Sequence, residues 1–152
     1  MLIDTLAGKL LVGLFMLLCA ALDFRENKID IRVFLGMLFA EICGYFGMIF
    51  YGMRIDYTAI ALGVGCGIVL WILSRITDGA LGPGDAIFFG LTGLAMGGEL
   101  NLLLIAGAIG VSAIFGLTLS VKAMLRGSTF RNRSFALLPL VLPVGLLILI
   151  LR

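Results

Sequence analysis

LNLLLIAGAIGVSAIFGLTLSVKA, residues 100–123, decides what kind of protein this is. It carries one charge, Lys122, close to its end, and no proline. Wound as an α-helix, it is long enough to cross the hydrocarbon core of a bilayer, about 30 Å thick. Its apolar residues run on continuously instead of alternating, so it does not read as a strand of an outer-membrane barrel. A transmembrane helix is the expectation.

Outward from it, the same reading marks five more apolar stretches, at 2–22, 31–53, 57–76, 85–98 and 135–151. The stretch at 85–98 is short for a crossing and is expected to be tilted, enclosed by neighbours or extended at its ends. The chain of 152 residues is 62% hydrophobic and 13% charged, more apolar surface than a water-soluble domain of this size can cover. No Pro/Ser-rich linker or low-complexity tract divides it. The expected fold class is therefore all-α: a polytopic membrane protein with six transmembrane helices in one bundle, a single domain over 1–152.

Charge sets the expected orientation. Arg25, Lys28 and Arg32 lie in 23–34, Arg75 in 75–85, and Lys122, Arg126, Arg131 and Arg133 in 122–134. Only Lys9, Arg54 and Arg152 fall to the other side. The positive-inside rule puts the first three loops in the cytoplasm and both termini outside, as in a multi-pass protein of the inner (cytoplasmic) membrane. The basic loop at 122–134 reads as a topology anchor beside anionic lipid, with no nucleic-acid partner. Lys9, the apolar run and Cys19-Ala20-Ala21 loosely imitate a signal peptide, but cleavage there would leave an odd number of spans.

With six spans, two aspartates come to the same face. Asp23 closes the first apolar stretch, and Asp85 follows the Gly82-Pro83-Gly84 turn into the fourth. Each alone has a plain reading, Asp23 as a solvated acid at a helix exit and Asp85 as a helix cap. Together they form a candidate two-carboxylate site.

These residues resemble the type IV prepilin peptidases, membrane aspartyl proteases with a G-x-G-D motif. Asp23-Phe24-Arg25-Glu26-Asn27-Lys28-Ile29 is similar to that family's D-x-R-x-x-x-I loop, and Gly82-Pro83-Gly84-Asp85 to its G-x-G-D element. Phe135-Ala136-Leu137-Leu138-Pro139-Leu140 is a weaker match to its Phe-Pro-x-x-Pro-Phe element. The resemblance covers essentially the whole chain. Five positions depart from it: Asp30 and Ile31 where many relatives have Pro and Asn, Ile87 where many have Lys, and Ala136 and Leu140 in the third element. The cytoplasmic Cys-x-x-Cys array of larger, methylating relatives is absent.

The resemblance implies catalytic roles for Asp23 and Asp85. One carboxylate would draw a proton from water, which attacks the scissile carbonyl, while the other, protonated, donates to the carbonyl oxygen. No metal or other cofactor is called for. Substrate contacts would fall on Gly82, Gly84 and Pro139. The implied partner is a pilin-like precursor with a short basic leader and an apolar helix, cut at the cytoplasmic face without N-methylation. Asp23, Glu26, Asp30, Asp78 and Asp85 gather at the expected cytoplasmic mouth, among Arg25, Lys28, Arg32 and Arg75. They read equally as an attractor for a basic leader or as an ordinary mixed-charge surface.

Other features have structural readings. Cys19, Cys43 and Cys66 stand isolated and the chain has no His, so metal-ligand spacing is not met and packing is expected. Gly63-Val64-Gly65-Cys66-Gly67 and Gly93-Leu94-Ala95-Met96-Gly97 contain G-x-x-x-G spacing, which predicts close helix approach. Glu41, near the middle of the second stretch, is expected to hydrogen-bond a neighbouring helix or else to admit water or substrate. Three further readings fit part of the sequence: a presenilin-like intramembrane protease, a small proton- or cation-linked transporter using Glu41, and a catalytically lapsed relative. Leu22-Asp23 and six spans disfavour the first, and the matched aspartate motifs are unexplained by the second.

Overall fold

Aspartates and glycines write the helix ends of this chain. In the computed structural model, which describes residues 1–26, 29–77, 82–125 and 138–151, a short 3-10 turn at Leu2–Asp4 precedes six α-helices. They are α1 Leu6–Glu26, α2 Ile31–Phe50, α3 Tyr57–Ile76, α4 Pro83–Met96, α5 Gly98–Leu125 and α6 Leu138–Leu151. Asp30 caps α2 by accepting from the Arg32 amide, and Asp56 caps α3 by accepting from the Thr58 and Ala59 amides. Pro83 starts α4, where its missing N–H and fixed φ suit a first turn. Gly97, at φ 84°, ends it.

Among the described residues, four helices are long and apolar enough to cross a membrane: Leu6–Arg25, Ile31–Phe50, Tyr57–Ile76 and Gly98–Lys122. Their outer surfaces are apolar. Leu10, Phe39, Phe46, Leu62, Ile109 and Leu117 are each more than half exposed, a surface that water does not tolerate and lipid does. This is a membrane protein.

The shorter α4 sits at the centre. Ala86, Phe88, Phe89, Leu91, Thr92, Gly93, Ala95 and Met96 are all buried, so its length is accounted for by enclosure among neighbours. Phe88 stacks on Phe15 of α1 at 5.5 Å, and Phe15 meets Phe34 of α2 edge-on at 6.3 Å. Against α3 the approach is backbone to backbone: a methyl group on Gly63 would overlap Gly93, and one on Gly67 would overlap Gly90. The first glycine motif thus does what its spacing predicts. In the second, Gly93 joins the seam while Gly97 ends the helix in a left-handed conformation.

Buried polar groups lock this centre. Asn101, the fourth residue of α5, donates to the carbonyls of Phe89 (2.9 Å) and Gly63 (3.3 Å), and Thr92 Oγ1 donates to Asn101 Oδ1 (3.1 Å). One amide thereby ties α3, α4 and α5. On the other side, the Tyr45 hydroxyl of α2 donates to the Leu94 carbonyl at 2.6 Å, satisfying an acceptor in the last turn of α4.

Boundaries differ from expectation in physically legible ways. α1 continues through Asp23 to Glu26, because nothing in Phe24-Arg25-Glu26 breaks a helix. Asp23 therefore stands inside the last turn, not at its exit. The second helix stops at Phe50, where Gly52 turns the chain at φ 66°. The expected start of the last helix, at Phe135, Ala136 and Leu137, lies outside the described residues.

Candidate two-carboxylate site

Asp23 is carried by the end of α1 and Asp85 by the first turn of α4. Because Phe15 stacks on Phe88, these two helices lie side by side, and the carboxylates come to the same end of the bundle. They are within electrostatic reach of each other.

Each carboxylate is held by backbone. Asp23 Oδ2 accepts from the Leu138 amide at 3.2 Å, from the opposite end of the chain. Leu138 is the first residue of α6, whose opening N–H groups have no partner within the helix, and an acid there is favoured by the helix dipole. Asp23 thus caps α6 from outside. Asp85 lies half-buried in the first turn of α4, against the Gly82 amide. The cap position itself belongs to Gly82, not to Asp85, because Pro83 fixes the helix start two residues earlier. A methyl group on Gly82 would come within 2.9 Å of Asp85 Oδ2, so glycine there makes room for the carboxylate.

The other predicted site residues fall out unevenly. Pro139 follows Leu138 in the first turn of α6, which brings the third sequence element against the first. Gly84 faces open space. Glu26 adds its backbone to the last turn of α1, while its side chain and Asp78 lie outside the described residues. Asp30 is engaged as the α2 cap, with Arg32 at 3.9 Å. Ile87, at the position of a family lysine, packs against the core and lines an apolar groove of about 290 Å³. That groove runs from Ala86 and Ile87 along α4 to Leu94, walled by Val64, Ile68 and Trp71 of α3 and by Leu38 of α2. Arg75 lays its guanidinium over Trp71 at 5.2 Å.

All three cysteines are free. Cys19 is fully buried on the face of α1 that carries Asp23, and the two interact electrostatically. Cys43 departs from the packing expectation: it lies on the exposed face of α2. Glu41 departs further. It is fully buried, and neither carboxylate oxygen has a hydrogen-bond partner. The nearest candidate, the Tyr45 hydroxyl one turn on, donates to Leu94 instead.

Asn101 and Thr92 escaped the sequence reading, although an Asn in an apolar helix is itself a signal of interhelical bonding. Compared with family models, with curated proteins and with solved structures, the chain gives no match. What the site can do is decided by its own chemistry.

Two carboxylates held close together share one proton more readily than both ionise. A pair of that kind can activate water with one member and donate a proton with the other. The Leu138 amide orients one oxygen of Asp23, Oδ2.

Proposed function

We propose that this protein is a membrane aspartyl endopeptidase of the prepilin-peptidase type. It removes the short basic leader from a pilin-like precursor at the cytoplasmic face of the inner membrane, without methylating the new N-terminus. All six helices are embedded, α4 and α6 as the short members, with both termini outside. Asp23 and Asp85 are the catalytic pair. Gly82, Gly84 and Pro139 line the substrate's path, and Glu26 and Asp78 attract its leader.

One observation supports this reading: two acids from separate motifs, one in the last turn of α1 and one in the first turn of α4, are within electrostatic reach of each other. Asp23 Oδ1 takes the proton of a bound water, and the oxygen of that water bonds to the scissile carbonyl carbon. Asp85 donates its proton to the carbonyl oxygen. Collapse of the tetrahedral intermediate breaks the C–N bond: the amine nitrogen takes the proton that Asp23 holds, and a hydroxyl of the intermediate returns one to Asp85 as the carboxylic product forms. The proton count closes between the two carboxyl groups.

The test is leader cleavage of co-expressed pilin-like precursors in cells lacking their own prepilin peptidases. Wild type should cleave; Asp23→Asn and Asp85→Asn, at matched membrane levels, should not. Cleavage that survives either substitution sinks the two-aspartate mechanism.

A further inference from the structure

Glu41 is used by nothing described so far. It lies ten residues into α2 from Ile31, about 15 Å along the helix axis, and is fully buried. Both oxygens are without hydrogen-bond partners, which is tolerable for a neutral carboxylic acid and prohibitive for a carboxylate. The question is what happens when it loses its proton.

The neighbours supply no compensating charge. α2 packs chiefly against α4, the Leu2–Asp4 turn and α1, and meets α3 across the groove at Leu38. The titratable groups on these elements are the Met1 amine and Asp4; Lys9, Cys19, Asp23, Arg25 and Glu26 on α1; Asp85 on α4; and Tyr57, Cys66 and Arg75 on α3. None of them hydrogen-bonds Glu41 among the described residues. Its electrostatic neighbour is the Tyr45 phenol on its own helix, which favours no negative charge.

α2 is also the helix best placed to yield. On one side runs the groove of about 290 Å³ shared with α3 and α4. On the other is a second apolar groove of about 200 Å³, where Val33, Gly36, Met37 and Ala40 face Leu11, Phe15 and Leu18 of α1. Between the grooves, a side-chain hydrogen bond from Tyr45 to the Leu94 carbonyl fastens α2 to α4.

We propose that Glu41 is a proton-binding site within the bundle, and that loss of its proton releases α2 from its seat against α4. The protonated acid keeps α2 docked; the ionised one draws water in along the apolar grooves that flank α2. Since the groove beside α4 begins at Ala86 and Ile87, next to Asp85, the release widens lateral access to that end of the bundle. The proton device stands independently of the peptidase reading.

Amide hydrogen exchange tests it on the full chain in lipid nanodiscs, with no substrate. Wild type, Glu41→Gln and Glu41→Leu are compared at about pH 5.5 and about pH 9.5, which bracket the range where buried glutamic acids ionise. At the lower pH the α2 amides should exchange alike in all three. At the higher pH, after correction for intrinsic rates, wild-type α2 should exchange about tenfold or more faster than either variant, with α3 and α5 unchanged. Infrared spectra should show an acid carbonyl band in wild type at the lower pH that Glu41→Gln lacks. Equal α2 exchange at the higher pH overturns the proposal, as does faster exchange in the variants at both pH values, which marks a merely structural role. Should neither variant accumulate, the wild type alone decides: its α2 must loosen with rising pH while α3 does not.

Discussion

The Leu138 amide donates to Asp23 Oδ2 at 3.2 Å, although 115 residues separate them. That bond joins the end of α1 to the start of α6 and gives one acid two jobs. It accepts from the opening amide of α6, and it stands within electrostatic reach of Asp85.

Those jobs separate on substitution. Asp23→Asn keeps an oxygen that can accept from Leu138, so the protein should accumulate and unfold much as wild type does. Leader cleavage should nevertheless fall by about a thousandfold or more, the scale seen when a residue acting as a chemical unit is removed. Asp23→Ala should lose the cap as well, destabilising by about 1 kcal/mol in detergent unfolding.

The α3–α4 seam makes a sharper stability prediction. Gly63→Ala and Gly67→Ala each push a methyl group into the backbone of α4, with no flexible side chain to give way. Each should destabilise by about 1–3 kcal/mol. Gly65→Ala meets nothing within 4 Å and should be neutral or slightly stabilising through helix propensity. Unfolding of the three variants in micelles, run side by side, checks the contrast.

Asn101→Ala strips a donor from two buried carbonyls and leaves Thr92 Oγ1 without its side-chain acceptor. A loss of about 1–3 kcal/mol is expected. Thr92→Val should cost less, because its hydroxyl also bonds the Phe88 carbonyl within α4 and contributes less across helices. The double variant should be less destabilised than the sum of the singles, since both remove one shared bond.

Asp56 predicts an acid limb. The Thr58 hydroxyl at 2.6 Å, then the Ala59 amide, hold its carboxyl below the usual aspartate range. A depressed folded-state value contributes stability above the unfolded value, about 3.9, and loses it as pH falls through the folded one. Wild type should therefore unfold at a higher temperature than Asp56→Ala by a constant margin above about pH 5, and that margin should close at lower pH.

Hydropathy made the membrane class legible, because the apolar runs report directly on the solvent they require. The start of α4 was legible because its signal, the Gly82-Pro83-Gly84 turn, is local; Gly97, read only for its G-x-x-x-G spacing, ends that helix instead. The two aspartate motifs were legible as candidates. Asn101 was less so, since the partners that give it meaning lie on α3 and α4.

By itself, then, the sequence determined a chain of apolar helices, where several of them begin and stop, and which acids stand near their ends. The tertiary structure alone decided that Asp23 bonds Leu138 within electrostatic reach of Asp85, that the short α4 is the enclosed centre, and that Glu41 has no hydrogen-bond partner among the described residues. Hydropathy and capping act over a helical turn or the thickness of a bilayer, and a chain carries them along its length. Contacts between helices depend on which faces can approach, and here that was settled by bare backbone at Gly63 and Gly67 and by aromatic stacking at Phe15 and Phe88.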